Sequence, residues 1–349
     1  MEESKISKAD LQDMKAFVLY THSRPVKKVK FNRDGDMFFT CSDDKTICAW
    51  SSEIKMVGAY QGPGAIKSLA VSYNTEYIVG AFTTEGFGIF DAPTGEMIQK
   101  FDLPGERVMN LDLNLGDTEL VIVSLATGKS FVRTFDFKRL LKGEFEHKEE
   151  LVFRGETVSQ ATYGDLNEHL FITAHDAQRK GHLYKYKALE TGKYELEDSA
   201  TSLHGDEIFS FSFSKDYSLL ATCAKDGTAK VVNPYTLEVL QTLKKGSPVR
   251  TAFFSPLMHV EGVEKFHLII GGGQDAKDVT TTAAKKGSFE SRLFNLITGQ
   301  ELGQVKGHFG PVHSIEFSPD GRTMVSTSED GTVRVQRFCL EYFESERFA

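Results

Sequence analysis

One short hydrophobic pattern recurs along this chain: a β-branched residue, two further positions, an apolar residue, one intervening position and a second apolar residue. It begins at Val26 (then Val29 and Phe31), Ile66 (Leu69, Val71), Val108 (Leu111, Leu113), Val158 (Ala161, Tyr163), Ile208 (Phe211, Phe213), Val249 (Ala252, Phe254) and Val312 (Ile315, Phe317). The seven copies start 40, 42, 50, 50, 41 and 63 residues apart, the repeat length of a propeller array with some units stretched. Inside a copy the period falls to two. Val312 to Phe317 alternates as a half-buried strand, Ser318-Pro319-Asp320-Gly321 turns it, Thr323 to Ser326 predicts the next strand, and Glu329-Asp330-Gly331 turns again into Thr332 to Phe338. The fifth copy repeats the scheme from Ile208 to Val232, with Asp226-Gly227 at the second turn. Asp-Gly between apolar runs is a hairpin signal because both residues tolerate positive φ.

Each copy therefore predicts a small antiparallel sheet with two apolar faces. Such a sheet is unstable alone, so the copies must stack around an axis: an all-β, seven-bladed propeller. Phe17-Val18-Leu19-Tyr20 precedes the first copy where an outer strand belongs, while the last copy has three obvious strands. The N-terminal strand is thus expected to complete the seventh blade and close the ring. The expected boundaries are an extension over 1–15, a propeller over 16–338 and an aromatic tail over 339–349. In the extension, Ser7 and Asp10 with Leu11 and Met14 allow one short helix. The tail, with Tyr342-Phe343, is too aromatic for a solvated end and is expected on the propeller or at a partner.

A polar period overlies the apolar one. His22 and Asp44, His204 and Asp226, and His308 and Asp330 are each 22 positions apart. A spacing repeated so strictly is structural. In the first copy His22, Ser42, Asp44 and Trp50 occupy positions that can share one hydrogen-bonded chain, and Ser328 repeats the serine in the seventh. Elsewhere the histidine position holds Gly62, Pro104, Arg154 and Lys245, and the tryptophan position holds Phe90, Val232 and Gln336. Blades without the polar chain are expected to rely mainly on apolar packing.

Seven units account for nearly all 349 residues, leaving no room for a second domain. The net charge of −8, from 49 acidic and 41 basic residues, argues against broad electrostatic capture of nucleic acid, and no direct sequence-specific binding is expected. Cys41, Cys48, Cys223 and Cys339 form no C-x-x-C pair and follow no secretory leader, as expected of a reduced intracellular setting. No apolar run approaches a membrane span.

Candidate chemistry is sparse. Gly271-Gly272-Gly273 lacks the Gly-Lys-Ser/Thr order of a phosphate loop, Lys286-Gly287-Ser288 has it scrambled, and a long hairpin is expected instead. Serine, histidine and aspartate recur without a Gly-x-Ser-x-Gly elbow. His308 and His313 flank a turn without further ligands at metal spacing. No catalytic residue, cofactor or metal is expected.

With Ser42-Asp43-Asp44-Lys45-Thr46-Ile47-Cys48-Ala49-Trp50, Gly307-His308 and Ser328-Glu329-Asp330-Gly331-Thr332-Val333, the chain resembles the WD40 repeat family, most closely in units one, five and seven. A narrower likeness rests on Gly271-Gly272-Gly273-Gln274-Asp275-Ala276-Lys277-Asp278-Val279-Thr280-Thr281-Thr282, on Gly287-Ser288-Phe289-Glu290-Ser291-Arg292 and on Val305 to Pro311. Ala224 to Lys230 and Tyr342-Phe343-Glu344 add to it. These segments resemble the propeller subunit, subunit I, of eukaryotic translation initiation factor 3. The likeness covers the second half closely. In the first half Asn32-Arg33-Asp34-Gly35-Asp36 fits, units two to four have drifted, and Met1 to about Lys15 lies outside the family core.

The resemblance implies a noncatalytic cytoplasmic scaffold that docks other subunits and supports recruitment of mRNA and initiator tRNA to the small ribosomal subunit. It implies as partners the b subunit, chiefly through that subunit's C-terminal helical segment, and the g subunit. Blades five and six carry much of the b contact in the family, which points here to Lys225, Asp226, Arg250, Gln274 and Asp275. For Asp226, turn chemistry outweighs contact. Another WD40 adaptor, such as a kinase-receptor-associated or assembly-chaperone propeller, is the alternative, and the Gly271 to Thr282 string separates the two.

Overall fold

Alternating apolar and polar positions set every copy of the pattern into a four-stranded antiparallel sheet. The computed structural model describes residues 16–274, 289–338 and 342–343, and within them seven such sheets form the blades of a propeller. The innermost strands are the recurring pattern itself: Val26–Phe31, Ile66–Val71, Arg107–Leu113, Thr157–Tyr163, Ile208–Phe213, Val249–Phe254 and Val312–Phe317. Each contacts the innermost strand of the next blade, and Val312–Phe317 contacts Val26–Phe31 to complete the circle.

Blades one to six are consecutive in the chain, whereas the seventh is shared between its two ends. Its order is Ala16–Leu19, Val333–Arg337, Thr323–Ser328, Val312–Phe317. Ala16 lies opposite Gln336 and Leu19 opposite Val333. The expected closing strand is present, and Tyr20, at its expected end, lies just beyond it and is exposed. Closure by strand pairing couples the fraying of one terminus to that of the other.

The apolar core is a ring of seven interfaces, one between each pair of neighbouring blades. Between blades one and two, Phe39, Ile47, Tyr60, Ile66, Leu69, Phe82 and Phe90 are buried together. Across the closure, Val26, Val29, Phe38 and Trp50 of blade one meet Val325, Val333 and Val335 of blade seven. Each fully buried large side chain contributes about 1.5–3 kcal/mol. The aromatic tail adds to this ring: Tyr342 is buried with Phe338, Phe317 and Val312, and its Oη lies 2.8 Å from His267 Nδ1. Residues 1–15, where the sequence allows one short helix with a flexible tail as the default, and Cys339 lie outside the described residues.

Beside their apolar packing, three of the four blades that lack the histidine carry polar ties of their own. In blade three, Arg133 Nη1 and Nη2 grip both oxygens of Glu106 at 2.7 and 3.0 Å, Arg133 Nε donates to Glu150 at 2.5 Å, and Ser124 Oγ donates to Glu106 at 2.5 Å. In blade four, Tyr184 Oη donates to Glu156 at 2.9 Å. In blade six, Lys245 is buried and donates to Ser247 Oγ at 2.8 Å. Only blade two follows the apolar scheme closely, because the Phe82 ring fills the missing imidazole's space. A Cβ on Gly62 would sit 2.8 Å from Phe82 Cε1.

Candidate functional site

Three blades carry the same polar relay. In blade one, Asp44 can only accept, so His22 Nδ1 donates to its Oδ2 at 2.9 Å and Nε2 is left to accept from the Thr40 hydroxyl, also at 2.9 Å. The Thr40 oxygen in turn accepts from Trp50 Nε1 at 3.1 Å, and Thr46 Oγ1 donates to Asp44 Oδ1 at 2.6 Å. His204, Asp226, Thr222 and Thr228 repeat this arrangement in blade five, and His308, Asp330, Ser326 and Thr332 in blade seven. Ser42 and Ser328 stand beside the relay: each donates to a loop carbonyl, of Arg24 and Gly310, and accepts the N–H of its aspartate. The hydroxyl at 40, 222 and 326 is the link that sequence reasoning missed. Its signal was a Thr or Ser 18 positions after each histidine.

Burial lowers the pKa of His22 and His308. Burial alone would raise the carboxyl of Asp226, but hydrogen bonds from His204 and Thr228 outweigh it and hold the group well below the ordinary range. Asp44 and Asp330 behave likewise.

The innermost strands enclose a central channel of about 760 Å³. Six of the seven blade junctions are tied there by side chains. Asn110 Oδ1 accepts from Ala161 N at 3.3 Å, Thr251 Oγ1 from Ile315 N at 3.2 Å and Glu316 Oε2 from Phe31 N at 3.2 Å. Gln160 both accepts from Phe211 N and donates to Phe211 O at 3.0 Å. Ser210 Oγ donates to Arg250 O at 2.7 Å, and Lys28 Nζ to Ser68 Oγ at 3.1 Å. Five of the six ties share a sequence signal, a polar residue two positions into the recurring pattern (Lys28 with Ser68, Asn110, Gln160, Ser210 and Thr251), whereas Glu316 stands four positions in. Burial raises the Glu316 carboxyl, offset in part by Lys30, whose ammonium lies 3.5 Å away.

One position earlier, every innermost strand carries a bulge. The register shifts directly after Val26, Ile66, Val108, Val158, Ile208, Val249 and Val312. The bulged residues, skipped by the ladder register, are Lys27, Lys67, Met109, Ser159, Phe209, Arg250 and His313, and all seven line the channel. A bulge bends its strand and re-aims its side chain, so the seven form a ring at the channel mouth.

The residues expected at a partner share one end of the propeller without forming one patch. Lys225 is on the turn after Leu220–Ala224 in blade five, its N–H bonded to Glu207 O at 3.0 Å. Both carboxylate oxygens of Asp226 are engaged by His204, Gly205 and Thr228. Arg250 is the bulged residue of blade six, inside the channel mouth. Gln274 is exposed just beyond the strand His267–Gly272, and Asp275 lies outside the described residues, as does the string from there to Thr282. Among the described residues no group of three His, Cys, Asp or Glu side chains is placed to hold a metal ion. No helix among them is long and apolar enough to cross a membrane.

Comparison with known proteins adds to this geometry. The EIF3I family model matches residues 14–347. A Schizosaccharomyces pombe protein named eukaryotic translation initiation factor 3 subunit I is 33% identical over 338 residues, covering 95% of this chain and 98% of the relative. Proteins of the same name from Dictyostelium discoideum and Homo sapiens are each 31% identical, across 95% of this chain and 96% and 99% of their own lengths.

Proposed function

The chain belongs to the family of subunit I of eukaryotic translation initiation factor 3, and from that premise we propose that it is a noncatalytic scaffold of that factor. It docks other subunits and so supports recruitment of mRNA and initiator tRNA to the small ribosomal subunit. The observation that carries this reading is the match over residues 14–347, which spans all seven blades and the closing strand. A closed ring of interlocked sheets offers several rims at fixed geometry, as multi-partner docking requires. The relatives do not favour the alternative of an unrelated WD40 adaptor.

Subunits b and g are the proposed partners, with b along blades five and six. Support comes from blade five, where the outer strand Val239–Lys244 exposes Val239 and Leu240 beside exposed Tyr235. An unpaired strand edge with apolar side chains is a surface that a partner covers. Lys225 and Gln274 are the proposed polar contacts at the rim, with Asp275 next to Gln274 in sequence. Asp226 and the other relay residues act in the fold, because the same arrangement recurs in three blades and its polar atoms bond one another. A cytoplasmic location follows from the role, and the free, buried Cys41, Cys48 and Cys223 suit a reducing compartment.

The test is affinity purification of the tagged chain from native extract at moderate salt, with mass spectrometry of what remains bound. Recovery of the other initiation factor 3 subunits and the small ribosomal subunit is expected. A stable set of partners without translation factors would overturn the reading. A Val239→Asp, Leu240→Asp variant that stays folded is expected to lose b while the ring is intact.

A further inference from the structure

A second cavity, of about 490 Å³, lies between blades one and two at the end of the propeller where the innermost strands finish, and we propose that residues 1–15 of this chain dock there. Buried Phe39 and Tyr60 lie at the base of this groove, and exposed Asp34 and Asp36 stand at its rim. Gly58 keeps one side open, because a Cβ added to it would meet no atom within 4 Å. Along the same outer strand Met56 and Val57 are 46% and 63% exposed. Apolar surface of this kind is what a docked segment covers.

Charge and reach select the occupant. Neither rim carboxylate has a cation within ion-pair distance among the described residues, and Asp36 Oδ1 accepts only from Asn32 Nδ2, at 2.7 Å. An apolar slot with two such carboxylates at its rim fits an apolar side chain flanked by ammonium groups, and Lys5-Ile6-Ser7-Lys8 has that order. The chain also delivers the stretch to the right place. Ala16 lies opposite Gln336, the following Arg337 donates through Nη2 to Ser52 O at 2.8 Å, and Ser52 N donates to Asp36 O at 2.7 Å. The described chain thus begins at the same end of the propeller, one blade from the rim. The eight residues from Lys8 to Lys15 span up to about 27 Å, enough to carry Lys8 back to Asp36. Ile6 then enters the groove over Tyr60, Lys5 and Lys8 face Asp34 and Asp36, and Leu11 and Met14 are left to cover Met56 and Val57. Glu2, Glu3, Asp10 and Asp13 on either side oppose the acidic rim, which sets the register on residues 5–8. The family match starts at residue 14, so this contact belongs to the part of the chain that lies beyond it. Once seated, the segment closes this end of blades one and two to other partners and leaves the edge of blade five open.

The experiment is zero-length carbodiimide crosslinking of the dilute full chain, followed by mass spectrometry of its digest. Amide bonds from Lys5 or Lys8 to Asp34 or Asp36 are expected, well above those to Glu53 and Glu76, exposed carboxylates on neighbouring turns. Gly58→Leu, which fills the groove, is expected to cut their yield roughly tenfold without lowering the melting temperature, and Ile6→Ser to cut it as much. Ile6→Ser alters no residue of the propeller, so its effect is free of any folding defect. Crosslinks spread evenly over the four carboxylates, none to Asp34 or Asp36, or full yield in both variants overturns the proposal. Mixing chains of light and heavy isotopes identifies the donor. Bonds within one chain support the proposal, whereas bonds joining light to heavy chains place a second copy in the groove and overturn it. The readout needs no other subunit, so it stands or falls separately from the scaffold role.

Discussion

At the scale of the residue, Thr40 shows how one hydroxyl fixes the protonation of its neighbours. It accepts from Trp50 and donates to His22, which leaves His22 neutral and aimed at Asp44. Thr40→Val keeps the volume but strands a buried N–H and a buried imidazole nitrogen, and is expected to cost about 1–3 kcal/mol in urea unfolding, with Thr40→Ser restoring most of it. Unchanged unfolding in Thr40→Val or in Asp44→Ala would mean the relay is incidental. Lys45 is the counter-example to good local fit. It sits at φ 72° where Gly227 and Gly331 occupy the same turn in blades five and seven, so Lys45→Gly is expected to stabilise by a few tenths to about 1 kcal/mol. The pH dependence follows from the same groups. The unfolded chain protonates His22 and His308 first, so stability declines as pH falls below about 6.5. The depressed carboxyls of Asp44, Asp226 and Asp330 contribute fully above about pH 4 and lose that contribution as pH falls through their folded values. Burial raises Asp112 and Glu316, which oppose the trend. Unfolding midpoints across pH are expected to fall less steeply toward acid in Asp226→Asn.

At the scale of the element, the recurring strand does two jobs that its apolar positions do not reveal. The bulge turns one side chain into the channel mouth, and the next residue ties the strand to its neighbour. Gln160→Ala removes both bonds to Phe211 and is expected to cost about 1–3 kcal/mol. The blade-three grip is costlier to break: Arg133→Met strands the largely buried Glu106 and is expected to lose about 3 kcal/mol by thermal unfolding. The interval of 22 residues found the blades built on histidine and aspartate, but it was blind to the arginine–glutamate solution. That pair joins Glu106 to a strand position 27 residues later, and among the described residues no other blade has an arginine–glutamate pair at that separation, so no period could expose it.

At the scale of the whole molecule, the ring is closed twice, by Ala16–Leu19 in blade seven and by Tyr342 over blades six and seven. Truncation after Phe338 removes a buried aromatic and its bond to His267, and is expected to lower the melting temperature by several degrees. The sequence by itself determined the number of blades, their order, the closing strand and the three histidine–aspartate pairs. All of these are written in periods of two, about 45 and 22 residues, and a period survives translation into strands because the backbone repeats with it. Only the tertiary structure decided which side chains meet across a junction. The relay hydroxyl and the arginine grip join positions on different segments of one blade, the channel ties join neighbouring blades, and Glu316 meets Phe31 only because the two ends of the chain pair and bring blade seven round to blade one.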